Sequence, residues 1–388
     1  MTKESQIYIG SKENVLPQVD IVERQRFITD QFLQFYKGCD YQFLPSASLL
    51  PEDDESVLFT GATITPLKNF LIEGVSPPGI CMVQKCLRTK RLNEMTDMSK
   101  IPDWTHYFTM CGILSAPDRL QEVTEEAYEL LANRLKINPS NLLLEASSAD
   151  RDLSEFWKSR KISTKEDQKP SVYYRWGYGM RGISGRGINF LLRFNQSSSY
   201  RDLGNVIGIE DNAGNVIGYE FGFGLESLLS TINGFEKPME ASLVSSVIPY
   251  KKGLQEKIVD VLMATVAIYH YGIEPGRGKE KHVLKKLVKG LSFLRRKMGL
   301  SFEQIADWSD KFEKVEFGTN SSRDKLIEGV MVYENQLTKF IDYAKNQVHA
   351  HQLRNDVSER LLRKLSREGI SMGILPAEID EVIDAVLN

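Results

Sequence analysis

The sequence predicts an α+β fold in which an antiparallel sheet flanked by helices is followed by an all-helical domain. Short strand-like runs separated by proline, glycine and aspartate occupy the chain before about Glu236, whereas helical patterns dominate from Leu254 onward. The 388 residues, 41% hydrophobic and 26% charged, are enough for two compact globular domains. We therefore expect domains at 1–236 and 237–388.

The first domain combines one clear helix with several short strands. Aromatic residues at helical spacing predict a helix over Ile21–Tyr36, and Gly38 follows where a helix would end. A second helix is predicted over Glu122–Leu135, a loop over Ser163–Pro170 and a hairpin turn over Asp211–Asn215. The predicted strands are Tyr41–Leu44, Ser56–Thr60, Ile80–Arg88, Leu142–Ala146, Phe190–Phe194, Val206–Ile209 and Val216–Phe221. The predicted helices of the second domain are Ile258–Tyr271, His282–Met298, Lys325–Ala344 and Arg354–Leu365.

Charge and cysteine usage narrow the class of protein. There are 49 Lys and Arg against 52 Asp and Glu, so any contact with nucleic acid must come from a local basic patch. The four cysteines form no zinc-binding spacing, and no metal site is expected. No secretory leader or apolar run of about 20 residues is present. We therefore expect a cytoplasmic protein without membrane or DNA partners.

A glycine-rich segment separates the two groups of strands. Trp176–Gly187 holds five glycines in twelve residues, together with Arg181 and Arg186. Such density allows close backbone approach to a ligand, but it is equally typical of a flexible surface hairpin. Both interpretations stay open.

Three blocks in the first domain resemble the alanyl-tRNA synthetase family. The first runs from Phe43-Leu44-Pro45-Ser46 to Leu58-Phe59-Thr60 and continues in Gln84-Lys85-Cys86-Leu87-Arg88. The second is Tyr107-Phe108-Thr109-Met110-Cys111-Gly112, and the third is Glu220-Phe221-Gly222-Phe223-Gly224-Leu225-Glu226-Ser227. The blocks follow the family's order, and the whole resemblance spans roughly Phe27 to Phe340. It implies a class II synthetase-type sheet, in a divergent paralogue truncated before the family's editing domain.

The resemblance also implies roles for individual residues. Arg88 matches the arginine that contacts the ATP α-phosphate and the activated carboxylate, and a guanidinium suits an anionic phosphoryl oxygen. Tyr107 or Phe108 would lie against adenine, with Gly222 and Gly224 completing the ATP site. Glu220 matches the aspartate that holds the substrate amino group. An ordinary surface ion pair is the alternative for Arg88.

Several positions depart from the family pattern. Ser227 replaces the arginine that stacks on adenine and meets the terminal phosphate, and Asp103 replaces another arginine. Loss of a desolvated phosphate-binding cation typically costs roughly two or three powers of ten in binding or rate, so use of ATP with Mg is in question. Arg181 and Arg186 stand in the segment aligned with the family's Gly-Pro-Cys-Gly-Pro-Cys stretch and are candidates for anion binding, or they simply solvate a loop.

The helical domain carries one similar block, from Tyr271 to Lys286, in a strongly basic stretch. Between Arg277 and Lys297 there are nine Lys or Arg residues and one acid, Glu280. The resemblance implies contact with a tRNA acceptor stem, whose phosphates such a surface attracts; a solvated basic helix face is the alternative. The candidate tRNA-binding residues are Arg277, Lys279, Lys281, Lys285, Lys286 and Lys289.

Three functions remain compatible with the sequence. The first is a ligase that activates an amino acid with ATP and transfers it to tRNA or another acceptor, probed by pyrophosphate exchange. The second is a catalytically degraded protein that binds tRNA, and the third is an enzyme that uses preformed aminoacyl-tRNA without ATP. We favour the ligase because Arg88, the aromatic pair, Glu220 and the glycine frame are retained together.

Overall fold

The computed structural model describes residues 20–51, 54–195, 197–352 and 359–387. Its contacts divide the chain into two compact units. The first comprises the chain up to Arg88 together with Pro102–Pro249, and the second comprises Thr89–Ile101 together with the chain from Tyr250 onward. This division does not test the functional assignment of 1–236 to catalysis and 237–388 to tRNA recognition, which stays a prediction.

The first unit is built on one sheet. Its strands are β1 (Gln42–Phe43), β2 (Gly79–Leu87), β3 (Tyr107–Ser115), β4 (Leu142–Ala146), β5 (Ser163–Glu166), β6 (Arg175–Gly177), β7 (Ser184–Arg193), β8 (Tyr200–Glu210) and β9 (Val216–Gly224). They are ordered β1-β2-β3-β9-β8-β7-β4-β5, and β6 pairs with β7. The central pairs are antiparallel, as predicted.

At both edges of the predicted antiparallel sheet one strand pair is parallel, so the sheet is mixed. β1 runs parallel to β2, and β5 runs parallel to β4. A parallel pair needs a crossover, and the helix Arg151–Ser159 lies between β4 and β5. The predicted loop Ser163–Pro170 was therefore wrong in its first half, and the predicted strand Ser56–Thr60 is a loop.

Helices pack on both faces of this sheet, most of them on one face. They are α1 (Ile21–Gly38), α2 (Lys68–Glu73), α3 (Leu120–Tyr128, continued by a π-helical turn at Glu129–Arg134), α4 (Arg151–Ser159) and α5 (Leu225–Ile232). The large core joins α1, α3, α4 and α5 to alternate residues of the strands, such as Cys111, Phe190 and Phe221. α2 is the exception, since Leu71 packs on the opposite face of the sheet with Ile80, Leu114 and Ile207. Period-2 alternation therefore assigns each strand residue to one of two faces.

The second unit is helical, as predicted. Its helices are α6 (Leu254–His270), α7 (Lys279–Lys297), α8 (Phe302–Phe317), α9 (Arg323–Gln352), α10 (Glu359–Ser371) and α11 (Pro376–Leu387). The predicted helix Arg354–Leu365 begins outside the described residues, and its remainder lies in α10. Buried Lys257 of α6 donates to the carbonyls of Glu94, Asp97 and Lys100 at 2.6, 2.6 and 2.9 Å, which holds the segment Thr89–Ile101 in this unit.

Candidate active site

The predicted substrate residues lie on the sheet face opposite the large helical core, which we call the site face. In β9 this face carries Glu220, Gly222 and Gly224, because Phe221 and Phe223 between them point into the helical core. The register places Gly222 beside Gly112 of β3 and Gly224 beside Met110. Strand pairing thus brings together blocks that are more than 100 residues apart in sequence.

Arg88 follows β2 and is oriented across this face. Its Nε donates to the Gly61 carbonyl at 2.9 Å, and its guanidinium carbon lies 4.8 Å from the centroid of the Phe108 ring. An Nη group lies 3.7 Å from the Met110 sulfur, and the side chain remains exposed. A planar cation held at Nε and stacked on a ring keeps its outer N–H groups available to an anion.

Glu220 is a buried acidic group of the site face. Its side chain is 5% exposed, and the Tyr178 hydroxyl donates to its Oε2 at 3.2 Å. Burial raises the pKa of Glu220 to about 7, against the lowering effects of the Tyr178 hydrogen bond and the positive charge of Arg88. Arg88 and Glu220 therefore lie close enough to interact electrostatically. A bound ammonium group would favour the ionised carboxylate further.

The two aromatic candidates point to opposite faces. Phe108 lies under Arg88 on the site face. Tyr107 is 2% exposed and points to the helix-covered face, where the Lys85 ammonium lies 6.0 Å from its ring centroid. The structure thus brings Phe108, and not Tyr107, to the predicted nucleotide site.

Gly222 and Gly224 form a floor without side chains, in which Gly222 is buried and Gly224 is half-buried. A Cβ on Gly222 would meet only the Cys111 carbonyl oxygen at 3.3 Å and more distant atoms, and one on Gly224 would meet the Ser227 hydroxyl at 3.3 Å. Ser227 lies in the first turn of α5, so a short hydroxyl side chain stands at the position of the family arginine. The adjacent Glu226 is buried and accepts the backbone N–H of Thr109 at 2.9 Å, which fixes α5 on β3; burial raises its pKa.

Two aromatic side chains of the glycine-rich segment, those of Trp176 and Tyr178, pack against glycines of the sheet. A Cβ on Gly185 would lie 3.1 Å from the Tyr178 ring and 2.6 Å from Ile207, and one on Gly187 would lie 2.9 Å from the Trp176 ring. The segment is thus a hairpin of β6 and β7 with two rings lying against glycines. Sequence reasoning missed Tyr178; the glycines at 185 and 187 were the available signal.

The two arginines of this segment are placed differently. Arg181 is exposed in the loop between β6 and β7. The guanidinium of Arg186 makes a bidentate pair with Asp152 at 2.7 Å and a 2.5 Å contact with Glu210. These carboxylates occupy its donors, and Asp152 belongs to α4 on the helix-covered side. Arg186 is therefore not retained as an anion ligand.

The basic residues of the second unit are mostly accessible. Arg277, Lys279, Lys281 and Lys285 are exposed, and Lys286 is half-buried. Lys289 differs because its ammonium donates to the Gly373 carbonyl at 2.5 Å, and burial lowers its pKa. These side chains line α7 and the turn before it.

Within the described ranges, no group of three or more His, Cys, Asp or Glu side chains is arranged to hold a metal ion. The four cysteines are unpaired thiols. No helix in the described part of the chain is long and apolar enough to cross a membrane.

Comparison with known proteins finds similarity to tRNA synthetases. Residues 27–171 match the model of class II (A) tRNA synthetases. The chain is 25% identical over 320 residues to the alanine–tRNA ligase of Desulfitobacterium hafniense, covering 72% of this chain and 36% of that protein. It is 24% identical over 380 residues to the enzyme of Rubrobacter xylanophilus (81% and 42%) and 32% identical over 139 residues to that of Thermus thermophilus (34% and 15%).

Solved structures give weaker similarities. Asparaginyl-tRNA synthetase from Pyrococcus horikoshii, complexed with asparaginyl-adenylate, has a TM-score of 0.38 at 10% identity over 57% of this chain and 67% of that one. Aspartyl-tRNA synthetase from Entamoeba histolytica has a TM-score of 0.37 at 11% identity over 62% and 64%. The chain spans less than half the length of the three ligases named above. Residues 27–171 therefore match class II (A) tRNA synthetases, and most of the chain is similar in sequence to alanine–tRNA ligases at about 25% identity.

Proposed function

We propose that this chain is a ligase that activates the carboxylate of an amino acid with ATP and transfers the acyl group to tRNA or another acceptor. The observation that carries the proposal is the meeting of Arg88, Phe108 and Glu220 on the sheet face that also carries Gly222 and Gly224. A cation for phosphate, a ring for a base and a carboxylate for an amine are the groups that such a reaction needs.

The proposed chemistry assigns one role to each group. A carboxylate oxygen of the amino acid attacks the α-phosphorus of ATP, an acyl–phosphate bond forms, and pyrophosphate leaves. Arg88 stabilises the negative charge on the α-phosphoryl oxygens, because its Nε is held by the Gly61 carbonyl while its guanidinium is exposed. Phe108 lies beside the nucleotide, and Glu220 binds the substrate ammonium. The acyl group then passes to the acceptor, and AMP leaves.

The basic side chains of α7 support an RNA acceptor. Arg277, Lys279, Lys281 and Lys285 are exposed along the turn and the first turns of this helix. Each phosphate contact releases counterions, so binding that depends on this surface weakens steeply with salt. Replacing Lys281 and Lys285 together by glutamate should lower tRNA affinity and reduce the salt slope. An unchanged dependence of tRNA affinity on salt concentration would show that tRNA does not bind through this surface.

A screen of pyrophosphate exchange into ATP over the twenty amino acids tests the proposal. At least one amino acid should support exchange, and Arg88→Ala should lower kcat/KM roughly 100- to 1,000-fold, as loss of a charge-stabilising donor does. Arg134→Ala is the matched control, because Arg134 is also exposed and stacked on a phenylalanine, Phe35, but on the helix-covered side. Absence of exchange with every amino acid would refute the proposal.

Ser227 favours one second candidate, acyl transfer from preformed aminoacyl-tRNA without ATP. Its hydroxyl lies in the first turn of α5 beside Gly224, where it supplies no positive charge for a terminal phosphate. In that case Arg88 would meet a phosphate of the aminoacyl-tRNA. Deacylation or transfer of charged tRNA, in the absence of exchange, would support this candidate.

A further inference from the structure

The side chains of Trp176 and Tyr178, which we call the β6–β7 arm, pack against the site face next to Glu220. The proposed adenylation chemistry assigns them no role. Tyr178 is 6% exposed, and its hydroxyl has one acceptor among the described residues, the Glu220 carboxylate. The ring lies against Gly185 and near Ile207, and Ile207 is the direct cross-strand neighbour of Glu220. The hydroxyl therefore meets the one carboxyl on which the proposed amine site depends.

We propose that Tyr178 is a positioning residue of the substrate-amine site. Its hydroxyl holds one carboxylate oxygen of Glu220, so that the other oxygen faces the substrate ammonium. This inference rests on the proposed function for its substrate. Gly185 contributes to this placement, because a Cβ there would lie 3.1 Å from the Tyr178 ring and hydroxyl as well as 2.6 Å from Ile207; a Cβ on Gly187 would meet the Val206 carbonyl oxygen at 2.6 Å and the Trp176 ring at 2.9 Å. The glycine density of Trp176–Gly187 thus serves the placement of two rings.

The charged surroundings of Glu220 make the hydrogen bond testable. The titratable groups that act on its carboxyl are Tyr178 from the β6–β7 arm and Arg88 from the end of β2; its neighbours in register, Leu114 of β3 and Ile207 of β8, are apolar. Both groups favour the ionised form, whereas burial opposes it. Removing the hydroxyl therefore raises the pKa of Glu220 and leaves less carboxylate at neutral pH.

The first experiment follows the carboxyl directly in the full chain without substrate. Carbon-13 labelling of glutamate side chains, with Glu220→Gln to assign the resonance, gives the titration midpoint of Glu220. The midpoint should rise by about 1 pH unit in Tyr178→Phe, as loss of a hydrogen bond to a charged group requires. Tyr36→Phe is the matched control, because it removes a buried hydroxyl that has no partner in the described part of the chain and lies in α1. An unchanged midpoint in Tyr178→Phe would overturn the inference.

The second experiment uses exchange kinetics with whichever amino acid supports exchange. In Tyr178→Phe, KM for that amino acid should rise roughly fivefold at pH 7 and approach the wild-type value above about pH 9, with kcat changed less, since the fraction of ionised Glu220 sets the affinity. Gly185→Ala should produce the same pH-dependent KM. A uniform loss at every pH would indicate a structural role and contradict the proposal. If no amino acid supports exchange, the proposed function fails, but the titration of Glu220 still decides the role of Tyr178.

Discussion

Replacing Gly112 by alanine should destabilise the first unit by about 1–3 kcal/mol, the usual cost of overpacking a filled site. A Cβ at this position would lie 2.3 Å from the Thr63 hydroxyl oxygen and 3.0 Å from its Cβ and Cγ2. Thr63 is 1% exposed, so it has no free space to move into. The loop that carries Thr63 also presents the Gly61 carbonyl to Arg88. Displacement of this loop should therefore lower the rate of pyrophosphate exchange as well as the stability of the first unit.

The matched control is Gly222→Ala on the neighbouring strand. Its Cβ would lie 3.3 Å from the Cys111 carbonyl oxygen and 3.7 Å from the Gly112 Cα and the Met110 Cε, so it would meet no atom closer than 3.3 Å. We expect a change in unfolding free energy below about 1 kcal/mol, with a raised KM because the methyl group occupies the floor. Gly112 and Gly222 are direct partners across β3 and β9, so the contrast isolates the effect of Thr63.

Urea unfolding followed by circular dichroism measures both variants, and Thr63→Gly completes a double-mutant cycle with Gly112→Ala. The cycle should show a favourable coupling of about 1 kcal/mol or more, because removing the Thr63 side chain removes the clash. A Gly112→Ala variant as stable as wild type, or strictly additive effects, would refute the reasoning.

Three further predictions concern residues outside the substrate site. Glu313→Gln should lower the free energy of unfolding by about 1–3 kcal/mol. Hydrogen bonds, led by the Ser322 N–H at 2.9 Å, hold the pKa of Glu313 at about 2 against burial, so the stability that Glu313 adds above about pH 4.5 is lost as the pH falls toward 2. In acid unfolding, the variant should therefore lose this dependence of stability on pH. Arg186→Gln should lower the thermal midpoint and leave KM unchanged, because its partners lie on the helix-covered side; a raised KM would count against that placement. Lys257→Met should speed hydrogen exchange in Thr89–Ile101, since three carbonyls lose their donor, and equal exchange would show that this anchor is dispensable.

The architecture was largely predictable because periodicity reports burial directly. Helix α1 and the helices of the second unit show apolar residues at helical spacing, and the β8–β9 turn follows from the Asp211 side chain, which accepts the N–H groups of Ala213 and Asn215. β5 was missed because a four-residue edge strand with exposed and half-buried residues has no apolar pattern. The order of the strands in the sheet could not be predicted, because the local sequence of a strand does not determine which other strand it pairs with.

A site residue could be predicted only where it lay within one of the sequence blocks that resemble the alanyl-tRNA synthetase family. Arg88 and Glu220 were proposed from their blocks, and their roles stay predictions; the choice between Tyr107 and Phe108 needed the register of β3. The partners of Arg186 come from α4 and β8, far along the chain, so its exposure could not be judged beforehand. Tyr178 was missed because glycine density does not reveal which side chain fills the space that glycine leaves.

The central claim is that Arg88 and Glu220 act on one substrate at the site face. A crystal structure with an aminoacyl-sulfamoyl adenosine, carrying the amino acid that supports exchange, measures this most directly. The account predicts the sulfamoyl oxygens within about 3.2 Å of the Arg88 guanidinium and the ammonium within the same distance of Glu220. An inhibitor bound elsewhere, or bound here with either group turned away from the ligand, would contradict it.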